Sequence, residues 1–222
     1  MADAIFFDLD GTLADTGPDL AGALNRLLQE EGRETMAYHL LRPHVSAGAR
    51  GLLRAGFAIT PDAPDYAALR DRFLDLYEAA LCVETRLFAG MADLLATLDE
   101  RNVRWGVVTN KPERFTRPLM AALGLTRRAA AIVSGDTTAK AKPDPLPLLH
   151  ACAVAGVSPL TSVYVGDDLR DIEAGRAAGM RTIAAAWGYL GDGLPIGAWG
   201  ADRLADSPAA MLADLRLPPD QA

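Results

Sequence analysis

Lysine is almost missing from this chain. Lys111, Lys140 and Lys142 are the only three in 222 residues, and the net charge is −7. Such an acidic balance excludes the basic face that a nucleic acid or an anionic membrane would need, so neither is an expected partner. Cysteine is scarcer still. Cys82 and Cys152 stand far apart, without a C-x-x-C pair or clustered histidines nearby, and read as two buried free thiols in a reducing compartment. Long apolar runs are absent too. The longest uncharged stretch, 145–166, contains three prolines and His150, and reads as helix, loop and buried strand, not as a membrane span. Asp3, Asp8, Asp10 and Asp15 all precede Arg26, the first positive charge, which is the reverse of a secretory leader. The expectation is a cytoplasmic monomer or homodimer. No repeat or low-complexity tract occurs, and the tail after Leu215 reads as frayed.

What is present is a 50% hydrophobic chain with regular alternation. Short, nearly continuous apolar runs recur at "AIFF", 103–109, 130–134, 162–166 and 181–186, each followed by a turn or polar signal. Strands of a parallel sheet covered on both faces read this way. Helical patterns fit between them at 91–101, 114–123, 146–155 and 168–178, and glycines at 124, 156 and 179 stand where helix ends favour them. The fold class expected is α/β, an open parallel Rossmann-like sheet with right-handed crossovers.

Residues 16–86 break the alternation. "PDLAGALNRLLQEEG" and "DYAALRDRFLDLYEAAL" carry helical periodicity, and no convincing strand separates them. The expectation is a helical cap domain at 16–86, inserted after the first strand into a catalytic core made of 1–15 and 87–222.

In an open α/β sheet, chemistry gathers outside the carboxyl ends of the strands. The first strand ends in Asp8 and Asp10, the second in Thr109, Asn110 and Lys111. The third run leads to Lys140 and Lys142, and the fourth ends in Asp167, Asp168 and Asp171. Every lysine of the chain therefore belongs to this set. Asp8 and Asp10, at i and i+2, project to one side and repel each other unless a cation lies between them. Mg²⁺ suits an all-oxygen set, with Asp8, Asp167 and the Asp10 carbonyl as ligands. Lys142, the Thr109 hydroxyl and backbone N–H groups at 9–11 can hold phosphate oxygens. Asp8 can then attack phosphorus, and Asp10 can carry a proton to the leaving alkoxide and later take one from water.

At these residues the chain resembles the haloacid dehalogenase superfamily. "DLDGT", "VVTN", "KPDP" and "VGDDLRD" stand in the order of its four motifs, and the helical insertion stands where its cap does. The resemblance implies a Mg²⁺-dependent phosphomonoester hydrolase with Asp8 as nucleophile and Asp10 as acid/base. Thr109 and Lys142 become phosphate ligands, Asp167 a metal ligand, and Asp171 an orienting residue. "TNKP", "GMADLLATL" and "VGDDLRDIEAGRAAG" are similar to phosphoglycolate phosphatases. "SAGARGLL", "LFAGM", "WGVVTNKPERFTRPL" and "WGY" are similar to N-acetylmuramic acid 6-phosphate phosphatases. The expected substrate is a small phosphorylated metabolite, 2-phosphoglycolate first and the muramic acid ester as the alternative. Asp10 sets the chain apart from the superfamily's dehalogenases. The absence of lysine from 16–86 sets it apart from phosphonoacetaldehyde hydrolases. A β-phosphoglucomutase-type phosphotransferase and a non-catalytic phospholigand scaffold are the remaining alternatives.

Residues with a simpler reading complete the set. Arg50 in "SAGAR" suits a substrate carboxylate or a solvated helix face, and Ser46 and Gly48 go with it, the glycine for close backbone approach. Asn110 borders the phosphate; Lys111 either borders it or is exposed. Asp168 assists a metal through water or caps the helix that follows. Trp187 and Tyr189 stand where they could line the pocket mouth.

Overall fold

The computed structural model describes residues 2–191 and 193–214; the tail after Leu215, read as frayed, lies outside them. Six parallel strands form one sheet. They are β1 (Ala4–Phe7), β4 (Arg104–Val108), β5 (Ile132–Val133), β6 (Ser162–Gly166), β7 (Arg181–Ala185) and β8 (Arg203–Ala205), in the spatial order β5-β4-β1-β6-β7-β8. Both faces are covered, which is why "AIFF" is apolar throughout. Ile5 and Phe7 pack on one face against helices α5 (Met91–Glu100), α6 (Glu113–Ala122) and α9 (Pro208–Asp214). Ala4 and Phe6 pack on the other against α7 (Leu146–Ala155) and α8 (Leu169–Ala177). Of the two cysteines, both free, Cys152 is buried as expected and Cys82 is only half-buried. No helix among the described residues is long and apolar enough to cross a membrane.

The insertion leaves and rejoins the core through a two-stranded antiparallel ribbon. In it β2 (Ala14–Asp15) pairs with β3 (Arg86–Leu87), Ala14 opposite Leu87. Between them lie α1 (Gly17–Glu30), α2 (Tyr38–Leu41), α3 (Gly48–Phe57) and α4 (Tyr66–Glu78), with a 3-10 turn at Arg42–Ala47. They bury a separate apolar cluster built on Leu24, Leu27, Leu53, Phe57 and Phe73, which Phe115 of α6 and Tyr189 join from the core side.

Asp19, in the first turn of α1, ties the two connections together. Its buried carboxylate accepts the backbone N–H groups of Val83, Glu84 and Thr85 at 2.9–3.1 Å, and the Thr85 hydroxyl at 2.7 Å. Removing it leaves buried donors without partners, so Asp19→Ala should lower stability by about 3 kcal/mol. A thermal melt unchanged within a degree would contradict this.

The strand register sets the position of the site. Phe7 stands opposite Val107 on one side and Val165 on the other. Asp8, Thr109 and Asp167 therefore leave three adjacent strands at the same edge. This is the point where the chain switches sides of β1, the usual place for a ligand in such sheets.

Candidate active site

Lys142 is the electrostatic hinge of this edge. Its ammonium donates to Asp8 Oδ1 at 2.9 Å and to Asp171 Oδ1 and the Tyr164 hydroxyl at 2.7 Å, and lies 3.0 Å from the Val108 carbonyl. That side chain is 2% exposed. Burial works against its charge, but Asp171 and Asp8 outweigh burial and hold the ammonium protonated. The Asn110 amide fixes the segment that carries it, donating to the Lys142 carbonyl and accepting the Lys142 N–H, each at 2.9 Å. The Thr109 hydroxyl, buried beside it, accepts the Lys111 N–H at 3.1 Å.

Carboxyl oxygens of Asp8, Asp167 and Asp171 lie within 4.8 Å of one another. Asp167 accepts the Thr12 hydroxyl and the Tyr189 N–H, each at 2.8 Å. Burial pushes its carboxyl well above the usual range, and Asp8 and Asp171 push it further. Burial also raises Asp171, against the pull of Lys142. One lysine does not balance three carboxylates, and the donors are all hard oxygens, so the set fits a divalent cation such as Mg²⁺. Gly11 lets the loop after β1 close over it. Its φ is +87°, and a Cβ there would sit 2.1 Å from Asp167 Oδ2.

Asp10 faces a second lysine. Lys111 Nζ donates to Asp10 Oδ1 at 2.8 Å, and Thr16 Oγ1 donates to the same oxygen at 2.5 Å. Of the two readings of Lys111, exposure is excluded, because its side chain is 6% exposed. The ammonium lies over the ring of Tyr77, 4.6 Å from its centroid. Burial opposes the charge here as well, but Asp10 and Tyr77 raise the Lys111 pKa overall. The Tyr77 hydroxyl is itself buried, which pushes it up to about 12 although Lys111 pulls the other way.

Asp8, Asp10, Thr109, Asn110, Lys111, Lys142, Asp167, Asp168 and Asp171 all line one cavity of about 240 Å³. The insertion covers it with Leu20, Val45, Ser46, Ala47, Gly48, Leu74 and Tyr77. Gly48 has φ +59° where the 3-10 turn meets α3, and a Cβ there would meet nothing within 4 Å. Backbone conformation asks for glycine here, and the missing Cβ also leaves the cavity side of Gly48 open. Arg50 does not reach this cavity; it is exposed and lines a neighbouring cleft of about 440 Å³. Asp168 adopts the capping role. It accepts the Arg170 N–H at 2.9 Å and holds the Arg170 guanidinium through both oxygens at 2.8 Å. Tyr189 lies away from the mouth, buried at the base of the insertion. Its hydroxyl accepts the Gly17 N–H at 2.6 Å and donates to Asp15 at 2.8 Å.

Arg170, Lys111 and Tyr77 are the residues that sequence reasoning underrated. Arg170 donates to the Ser46 carbonyl at 2.9 Å and so joins core to insertion between the two cavities. A cation in the first turn of α8 opposes the helix dipole, and that anomaly is its signal. Tyr77 lies four residues after Phe73 on the buried stripe of α4. Lysine scarcity was the signal for Lys111.

The profile of a family described as haloacid dehalogenase-like hydrolase matches residues 5–185. An N-acetylmuramic acid 6-phosphate phosphatase of Pseudomonas putida is 44% identical over 94% of this chain and 93% of its own length. A phosphoglycolate phosphatase of Xanthomonas campestris pv. campestris is 46% identical over 94% of each chain. Among solved structures, that of a predicted phosphoglycolate phosphatase from Haemophilus somnus superposes with a TM-score of 0.84 at 27% identity. The match covers 97% of this chain and 98% of that one.

Proposed function

Because the chain belongs to the haloacid dehalogenase-like hydrolases, we propose that its cavity hydrolyses a small acidic phosphomonoester through a phosphorylated Asp8, with 2-phosphoglycolate as the favoured substrate. The observation that carries this reading is the set of half-buried Asp8 with buried Lys142, Asp167 and Asp171 lining one cavity together with Asp10.

The division of labour follows from the contacts. Asp8 is held by Lys142 at the strand end, where its second oxygen is left to attack phosphorus in line with the departing alkoxide. Lys142 and the Thr109 hydroxyl neutralise and orient the phosphoryl oxygens. Asp10, held by Thr16 and Lys111, stands two residues on, where it protonates the leaving oxygen and then draws a proton from the water that cleaves the acyl phosphate. Asp8, Asp167 and the Asp10 carbonyl would hold Mg²⁺, with Asp171 beside them. When bound, the ion supplies positive charge that lets a phosphate dianion enter an acidic site. The insertion lays apolar Leu20, Val45 and Leu74 against the cavity, which limits the water that reaches it.

Size favours the smaller ester. Drug-sized ligands occupy clefts of roughly 300–1,000 Å³, above the 240 Å³ of this cavity. One observation favours N-acetylmuramic acid 6-phosphate as a second reading: the 440 Å³ cleft shares Ser46, Ala47, Asp168 and Arg170 with the first and could receive a sugar. Parallel assays of the two esters with Mg²⁺ decide between them. Preference for 2-phosphoglycolate by tenfold or more in kcat/KM supports the first, and the reverse ratio supports the second. No turnover of any phosphomonoester would leave only a phospholigand-binding scaffold.

Asn110→Ala tests the support of Lys142. It removes both amide contacts and should lower kcat/KM about tenfold, with a stability loss of about 1–2 kcal/mol. Unchanged steady-state kinetics would show that Lys142 needs no such clamp.

A further inference from the structure

We propose that Lys111 and Tyr77 form a receptor for a carboxylate on the alcohol side of the ester, beside Asp10 and apart from the groups that hold the phosphate. This deepens the reading of the reaction above and rests on it.

Each aspartate of the opening pair has its own lysine. Lys142 serves Asp8, and Lys111 serves Asp10. An ammonium carries three N–H donors. Lys142 spends its donors on Asp8, Asp171 and Tyr164. Lys111 meets one carboxylate oxygen, the Tyr77 ring and, beside that ring, the Tyr77 hydroxyl, which leaves one N–H of the buried ammonium for a ligand. The Tyr77 hydroxyl repeats the pattern. Tyr77 lines the same cavity, and its hydroxyl is buried beside the Lys111 ammonium with no satisfied hydrogen bond among the described residues. A buried hydroxyl left so is destabilising unless a ligand takes it. Leu20, Leu74 and Phe115 of the same lining offer no side-chain donor, while Asn110 and Arg170 already donate to the Lys142 carbonyl and to Asp168 and the Ser46 carbonyl. An anion entering that end of the cavity therefore has these two groups to meet.

Position decides which anion. Lys111 touches Asp10, the group assigned to the leaving oxygen, so a carboxylate reaching Lys111 belongs to the leaving group and must be attached near that oxygen. In 2-phosphoglycolate the carboxylate is attached to the carbon that bears the ester oxygen. In N-acetylmuramic acid 6-phosphate it hangs from an ether on a different ring carbon. The receptor thus selects α-carboxylate esters. It is also built from both sides, Lys111 following β4 and Tyr77 on α4, so it is complete only where the insertion lies against the core.

The test compares 2-phosphoglycolate with ethyl phosphate, an ester of similar size without the carboxylate, in wild type, Tyr77→Phe and Lys111→Met. Tyr77→Phe keeps the ring over Lys111, and a melting curve checks that it folds. The ratio of kcat/KM for the two esters should fall about tenfold in Tyr77→Phe and about a hundredfold in Lys111→Met, largely through KM. A ratio constant within twofold in a folded Tyr77→Phe overturns the receptor, even while both esters are still hydrolysed. If wild type hydrolyses neither, the reaction has failed, and calorimetry of 2-phosphoglycolate binding decides the receptor alone. Tenfold weaker binding in Tyr77→Phe supports it, and equal or undetectable binding in both proteins overturns it.

Discussion

Replacing Asp8 with asparagine should lower turnover of every phosphomonoester by about 10⁴-fold or more while the protein stays folded. An amide of the same shape still accepts from Lys142 but cannot attack phosphorus. The stability side of the expectation is just as specific. Carboxyl oxygens of Asp8, Asp167 and Asp171 lie within 4.8 Å of one another; at an effective dielectric of 20 a fully charged pair would oppose folding by ~3 kcal/mol, and the raised Asp167 and Asp171 carboxyls lessen that by holding protons. Removing one charge relieves part of that repulsion and weakens the pair with Lys142. The metal-free variant should therefore melt within a few degrees of wild type or above it. A destabilised variant that keeps more than a few per cent of its activity would contradict both halves.

Removal of the metal should have an effect of similar size on activity. Chelation should stop hydrolysis, and added Mg²⁺ should restore it. The same acidic cluster predicts a second readout that needs no turnover. Mg²⁺ at about a hundred times its Kd adds about 2.7 kcal/mol of stability, which for a chain of this length raises the melting temperature by about 5–10 °C. Asp167→Asn removes one carboxylate of the proposed metal set and should abolish most of that shift. Full activity in excess chelator, with no change in melting temperature on adding Mg²⁺, would exclude a metal from this site.

The β-strands and core helices were legible because burial on both sheet faces leaves an uninterrupted apolar run, as in Ala4–Phe7 and Ser162–Gly166. The same logic hides β8. It lies at the sheet edge, Arg203 and Leu204 are exposed, and three residues carry no periodicity. The β2–β3 ribbon is two residues on each side and exists only through pairing across the insertion. At the site, residues on the first strand and its neighbours could be read from topology, since the ends of adjacent strands meet wherever the register is even. Side-chain direction could not. Arg50 carries the same guanidinium whether it faces the acidic cavity or the cleft beside it. Only the packing of α3 decides, and it turns Arg50 to the second cleft. Lys111 was open for the same reason, because burial of a lysine depends on partners from distant parts of the chain, here Asp10 and Tyr77. Asp19 looked like an ordinary acidic residue in a first helical turn until the 83–85 loop closed on it.

Phosphate passage through Asp8 can be read directly. Borohydride added during turnover of 2-phosphoglycolate with Mg²⁺ reduces an acyl phosphate to the alcohol, and peptide mass spectrometry then reads which carboxyl was phosphorylated. Homoserine should appear at position 8, dependent on substrate, with Asp10, Asp167 and Asp171 unmodified. Continued turnover with Asp8 intact, or reduction at another aspartate, would contradict it.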